Sequence, residues 1–172
     1  MKKHLGIKKV AFLGLCTSLA LLLAYVESLI PPIFASVPGI KMGLPNIVIL
    51  YVLYSLDVRY AATVSFVRLC ISSMLFGNAM AFAYSLAGAV LSLAVMWILK
   101  RINLLSNMGV SVAGGVSHNI GQVLVAMVLL ETPQIAYYLA VLSVTGIIAG
   151  IFIGVCGGIL VKRVPIGKMF KF

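Results

Sequence analysis

Long runs of uncharged, apolar residues constrain this chain more than any other feature. Val10 to Val26 is seventeen residues without a charge, and five further apolar runs follow before the C-terminus. A helix crossing the roughly 30 Å hydrocarbon layer needs about 20 such residues. In that layer every backbone N–H and C=O must be paired within the structure, which admits helices or closed barrels. The runs are continuous, without the two-residue alternation of barrel strands. The expected fold is therefore all-α: a single integral membrane domain over residues 1–172, with six transmembrane helices. The spans are expected near 10–30, 44–56, 60–76, 79–99, 108–130 and 135–161.

Composition supports this. Only 9% of residues are charged and 63% are hydrophobic, with mean hydropathy +1.19. A soluble domain carries about 25% charged residues. The net charge of +10 would suggest nucleic acid in a soluble protein. Here the basic residues stand at span ends, so the charge reads as topology and no nucleic-acid partner is expected. With both termini cytoplasmic, Lys2, Lys3, Lys8, Lys9, Arg59, Lys100, Arg101, Lys162, Arg163, Lys168 and Lys171 all lie inside. Only Lys41 lies outside, and Arg68 falls within a span. That is the positive-inside distribution of a bacterial cytoplasmic-membrane protein. The first run also resembles a signal sequence, but no small-x-small cleavage site follows, so it is taken as a true span.

The second run is the exception. About thirteen residues make a helix of only about 20 Å, too short to cross alone. Before it stands Pro38-Gly39-Ile40-Lys41-Met42-Gly43-Leu44-Pro45-Asn46, whose glycines and prolines exclude regular helix. Pro45 suits a first helical turn, where its missing N–H would be unpaired anyway. Short, Gly/Pro-interrupted spans point to transporter binding sites. The loop reads in two ways: a cradle of backbone donors, helix N-terminus and Lys41 for an anionic or polar ligand, or a connecting turn whose lysine meets lipid headgroups.

Ionisable and polar groups inside a membrane are functional candidates by default. Arg68 lies nine residues after Arg59 on a helix entering from the inside, about 13 Å deep. His118 enters from the same side to about 15 Å, so the two share a height. Gln122 is one turn above His118 on the same face, and Asn119 is adjacent. Glu27 is higher, near the outer end of the first span. One reading is a polar pocket in which Arg68 binds an oxygen, His118, Asn119 and Gln122 add hydrogen bonds, and Asn46 and Lys41 close the top. The other is a structural network, with Arg68 paired to Glu27 and His118–Gln122 joining helices. Glu27 fits either as counter-ion or as ligand contact.

Small residues at four-residue spacing predict close helix packing. Gly146, Gly150, Gly154 and Gly158 do so in the sixth run, and Ala81, Ser85 and Ala89 in the fourth. In the first run Gly14 with Ser18, and Ala20 with Ala24, form either internal contacts or a docking surface. Cys16, Cys70 and Cys156 fall within apolar runs and read as packing residues, without disulfide or metal. No cofactor, metal site or catalytic residue is expected. There is no Walker A loop. One Asp and two Glu cannot build a carboxylate-held magnesium site for a diphosphate.

The loop motif 38–46, Arg68 with the later Phe76-Gly77, and Gly115-Val116-Ser117-His118-Asn119-Ile120-Gly121-Gln122 resemble the Gx transporter family. That family is also labelled heptaprenyl diphosphate synthase component I and is similar to the substrate-binding S components of energy-coupling-factor transporters. The resemblance implies a six-helix S-component-like bundle that takes a ligand from outside. It also implies energising by a separate transmembrane coupling subunit and ATPases. In S components an Ala-x-x-x-Ala pattern on the first helix contacts that subunit. Gly14/Ser18 and Ala20/Ala24 are the nearest matches here, the first pair departing from alanine. Some relatives work instead beside quinone or isoprenoid metabolism, or with a redox membrane partner in flavin-based extracellular electron transfer. No aspartate-rich motif supports a synthase activity in the chain itself.

Overall fold

The computed structural model describes residues 6–29 and 43–166. Among them the chain forms six α-helices and no strand: α1 (Ile7–Leu29), α2 (Asn46–Ser55), α3 (Val58–Phe76), α4 (Ala79–Ile102), α5 (Asn107–Leu129) and α6 (Leu139–Arg163), with a 3-10 helix at Pro133–Tyr138 before α6. Five are long and apolar enough to span a bilayer, the exception being α2. The polar breaks are where the helices start and stop. Asp57 caps α3, its Oδ1 accepting from Val58 N at 2.7 Å. Asn78 Oδ1 accepts from Ala81 N at 2.8 Å at the start of α4. Ser106 Oγ accepts from Gly109 N at 3.3 Å at the start of α5. Each satisfies a first-turn amide that has no partner within the helix. Asn103 ends α4 in a left-handed conformation, φ 54°, a position that asparagine tolerates better than most residues.

α2 has ten residues, about 15 Å of helix. Six consecutive residues, Val48 to Leu53, are buried. A helix buried on every side cannot be amphipathic; it lies within the bundle, against α1, α3 and α6. Its inner end is tied down by polar contacts. Lys100 Nζ of α4 donates to Leu53 C=O at 2.6 Å and lies over the Tyr54 ring at 5.2 Å. The Tyr51 hydroxyl donates to Val164 C=O at 2.9 Å. Both carbonyls belong to helix ends, which lack partners within their own helix. Asp57, besides capping α3, acts electrostatically on Lys100. Lys100→Met is expected to destabilise the protein by about 1.5–3 kcal/mol, the range for a hydrogen bond to a charged group. Thermal unfolding in detergent would measure this.

α5 is the packing centre between α4 and α6. A Cβ built on Gly115 would lie 2.4 Å from Gly146 O, one on Gly150 2.6 Å from Val112 Cα, and one on Gly154 2.7 Å from Met108 Cα. Three of the four glycines in the α6 series therefore meet α5 backbone to backbone. Gly158 does not, having nothing within 4 Å of its Cβ position. The contacts step down α5 from Gly115 through Val112 to Met108, next to its start at Asn107, so α5 ends before it reaches Gly158. Gly157 packs instead, against Leu50 of α2. In α4 the buried seam runs through Tyr84, Gly88, Ser92 and Met96, one residue before the expected Ala81-Ser85-Ala89 series. The outward faces carry Leu15, Leu19 and Leu22 on α1, Leu124 and Val128 on α5, and Ile148, Phe152 and Ile159 on α6, all exposed. This is the lipid-contacting surface of a membrane helical bundle.

Candidate functional site

Inside the bundle, level with the N-terminal end of α2, lies a cavity of about 40 Å³. α1 contributes Ala24 and Glu27 to its wall; the turn into α2 contributes Gly43, Pro45 and Asn46. α3 adds Arg68, Leu69 and Ser72; α4 adds Ser85; α5 adds His118 and Gln122. The space suffices for two or three waters, or a polar group of similar size, at about 10–15 Å³ each.

Arg68 is 8% exposed and Glu27 7%. The two charges act on one another. Glu27 also accepts a hydrogen bond from the Gly43 amide, fixing the chain where it turns into α2. Gly43 has φ +77°, which is easy for glycine and costly for other residues. Arg68 Nε is buried without a hydrogen-bond partner, and so is His118 Nδ1. Most buried polar atoms in native proteins are paired, so unpaired nitrogens on two residues that line one cavity require an explanation. The His118 ring packs on the Gly88 backbone of α4: a Cβ on Gly88 would lie 2.9 Å from His118 Cε1 and 3.0 Å from Gln122 Cγ.

The arrangement differs from sequence expectation at several residues. Asn119 does not line the cavity. Its Nδ2 donates to Leu142 C=O of α6 at 2.5 Å, because neighbouring residues on a helix point about 100° apart. Asn119 therefore joins α5 to α6, while His118 and Gln122, one turn apart, face the cavity. Of the expected cradle of backbone donors, residues 38–42 lie outside the described residues, and four amides of the remainder are engaged. Asn46 N donates to Gly43 C=O, Ile47 N to Leu44 C=O, Val48 N to Pro45 C=O, and Gly43 N to Glu27. Three of these amides are paired within the turn and the fourth with Glu27. Lys41 lies outside the described residues. Ala20 and Ala24 are buried at 0% and 6%, so they face the bundle and cannot dock a partner. Gly14 and Ser18 face outward. The two pairs are six residues apart, which sets them about 120° apart around α1.

Two cavity residues escape the sequence reading. Ser72 is one turn beyond Arg68 on the same face of α3, a spacing that would have found it. Ser85 reads from spacing as a packing residue and instead lines the cavity.

The fold and this site define a class: a multi-pass helical membrane protein with a cavity in its core lined by charged and polar side chains. A family model described as heptaprenyl diphosphate synthase component I matches residues 16–160. The chain belongs to that family. No curated protein and no solved structure matches it.

Proposed function

We propose that this chain is a substrate-binding subunit of a small-molecule transporter, in a bacterial cytoplasmic membrane with both termini inside. A separate coupling subunit and ATPases would energise it. The observation carrying this reading is that Arg68 and His118, whose Nε and Nδ1 are buried without a hydrogen-bond partner, line one cavity deep in the bundle. A purely structural network would pair them with protein groups, since an unmade buried hydrogen bond costs about 1–3 kcal/mol. A ligand's polar atoms would recover that cost. Catalysis by the chain alone has little support: its three acids are Glu27 in α1, Asp57 at the start of α3 and Glu131 after α5. They stand on separate elements.

The test is to purify the protein in mild detergent and identify retained small molecules by mass spectrometry. Arg68→Ala and His118→Ala are each expected to lower retention at least tenfold. Unchanged retention in both variants overturns the reading. The family description favours a second reading, a membrane partner in prenyl-diphosphate synthesis. Prenyl-transfer assays of a candidate partner enzyme with and without this chain decide it: stimulation that survives both substitutions would support that role over the transporter role.

A further inference from the structure

α6 runs on past the helix it packs against. Its seam with α5 descends through Gly146 and Gly150 to Gly154, which meets Met108 beside the start of α5. α6 continues to Arg163, nine residues further and about 13 Å deeper. The next glycine of the series, Gly158, has nothing within 4 Å of its Cβ position among the described residues. Its neighbour Gly157 packs on Leu50 of α2, so this stretch is walled on one side and open on the other. The result is a recess at the inner end of α6, roofed by Met108. Lys162, which is exposed, stands one turn below Gly158 on the same face.

The recess adjoins the lipid-contacting surface. Ile148, Phe152, Val155 and Ile159 follow at four- and three-residue spacing, which keeps to one face of a helix, and all four are exposed. From Ile148 to Ile159 the stripe is about 16 Å long. That is roughly half of the ~30 Å hydrocarbon layer, the depth of one leaflet. Three residues further on, the same stripe reaches Lys162. An acyl chain of the inner leaflet lying on the stripe therefore brings its headgroup to Lys162 and the recess.

Charge selects among lipids. Of the thirteen lysines and arginines, all but Lys41 and Arg68 belong to the inner side, where Asp57 is the one acidic residue. Asp57 is engaged at the start of α3 and acts on Lys100. The sequence leaves no further acidic side chain there for Lys162 and Arg163. Residues 1–5 and 167–172, outside the described residues, carry Lys2, Lys3, Lys168 and Lys171 and no acidic side chain. Their charge opposes that of the rim rather than complementing it.

We infer that this recess binds an anionic phospholipid of the inner leaflet, with its phosphate on Lys162 beside Gly158 and one acyl chain along the stripe from Ile148 to Ile159. The inference goes beyond the proposed transport role, and none of these residues lines the central cavity.

Native mass spectrometry of the full chain, titrated with dioleoyl phosphatidylglycerol and with dioleoyl phosphatidylcholine, tests it. Phosphatidylglycerol is expected to bind at least about tenfold more tightly, since each cation near an anionic headgroup contributes roughly fivefold. Lys162→Gln should weaken that binding about fivefold. Gly158→Leu should weaken it at least as much by filling the recess, while the unfolding midpoint in lipid-free detergent stays near that of the parent, because its Cβ meets nothing. Lys8→Gln, which removes an inner charge on α1 away from the recess, should leave the binding unchanged. Equal affinity for the two lipids overturns the inference. So does a loss in Lys8→Gln as large as that in Lys162→Gln, which would reduce the preference to the general charge of the inner face. Binding unchanged in Lys162→Gln also overturns it, and this comparison decides the matter where Gly158→Leu does not fold. Displacement of the lipid by an equal concentration of glycerol phosphate would assign the recess to a free phosphate instead and overturn the lipid reading.

Discussion

Replacing Glu27 by Gln is expected to destabilise the protein by about 3–5 kcal/mol, the cost of leaving one member of a buried charge pair alone. Glutamine nearly matches the shape of glutamate, and its side-chain oxygen can still accept from the Gly43 amide. The loss therefore reports charge rather than packing. Arg68, 8% exposed, would remain ionised with no opposing charge among the described residues of the cavity. The double variant Glu27→Gln/Arg68→Met should recover most of the loss, because a neutral pair of similar volume often replaces a buried ion pair at little cost. It should not recover ligand retention, since the Nε–H is gone. Thermal unfolding of the single and double variants in one detergent measures the first effect, and mass spectrometry of bound small molecules the second. A loss below about 1 kcal/mol for Glu27→Gln, the scale of a solvated surface pair, would mean that Glu27 does not counterbalance Arg68.

The second large effect is expected at Gly115. An added Cβ would lie 2.4 Å from Gly146 O and 3.3 Å from Gly146 C. Both are backbone atoms of α6, so no side-chain rotation relieves the clash and the helices must separate. Gly115→Ala is expected to cost about 1–3 kcal/mol, towards the upper end because backbone must move. Gly158→Ala is the control, with nothing within 4 Å of its Cβ position. It should be neutral or stabilising by up to about 1 kcal/mol, through the better helix propensity of alanine. The contrast in unfolding midpoint between two Gly→Ala changes distinguishes a packing seam from a general effect of glycine. Equal effects at both positions would contradict the α5–α6 contact.

His118 and Gln122 show how much of the site was legible. Their four-residue spacing puts them on one face of any helix, and both line the cavity. Asn119 shows the limit, because a side chain next in sequence belongs to the neighbouring face and its partner depends on what lies there. That partner is the Leu142 carbonyl of α6. Ala20 and Ala24 read equally well as internal or external until the rotation of α1 is known, and α1 turns them inward. The turn at Gly43–Asn46 was legible as a break in helix. Its internal pairing of amides was not, since that depends on Glu27 sixteen residues earlier.

By itself the sequence determined the helical class, the number of helices, the shortness of α2, and that Arg68 and His118 could meet at one level. Each of these depends only on rise per residue and on where polar residues interrupt apolar ones, quantities intrinsic to a single helix. Tertiary structure alone decided which faces meet, that Glu27 acts on Arg68 while holding Gly43, and that His118 Nδ1 is buried without a partner. These depend on the rotation of each helix about its own axis. Close contacts such as Gly115 against Gly146 set that rotation, and no local spacing along one helix encodes it.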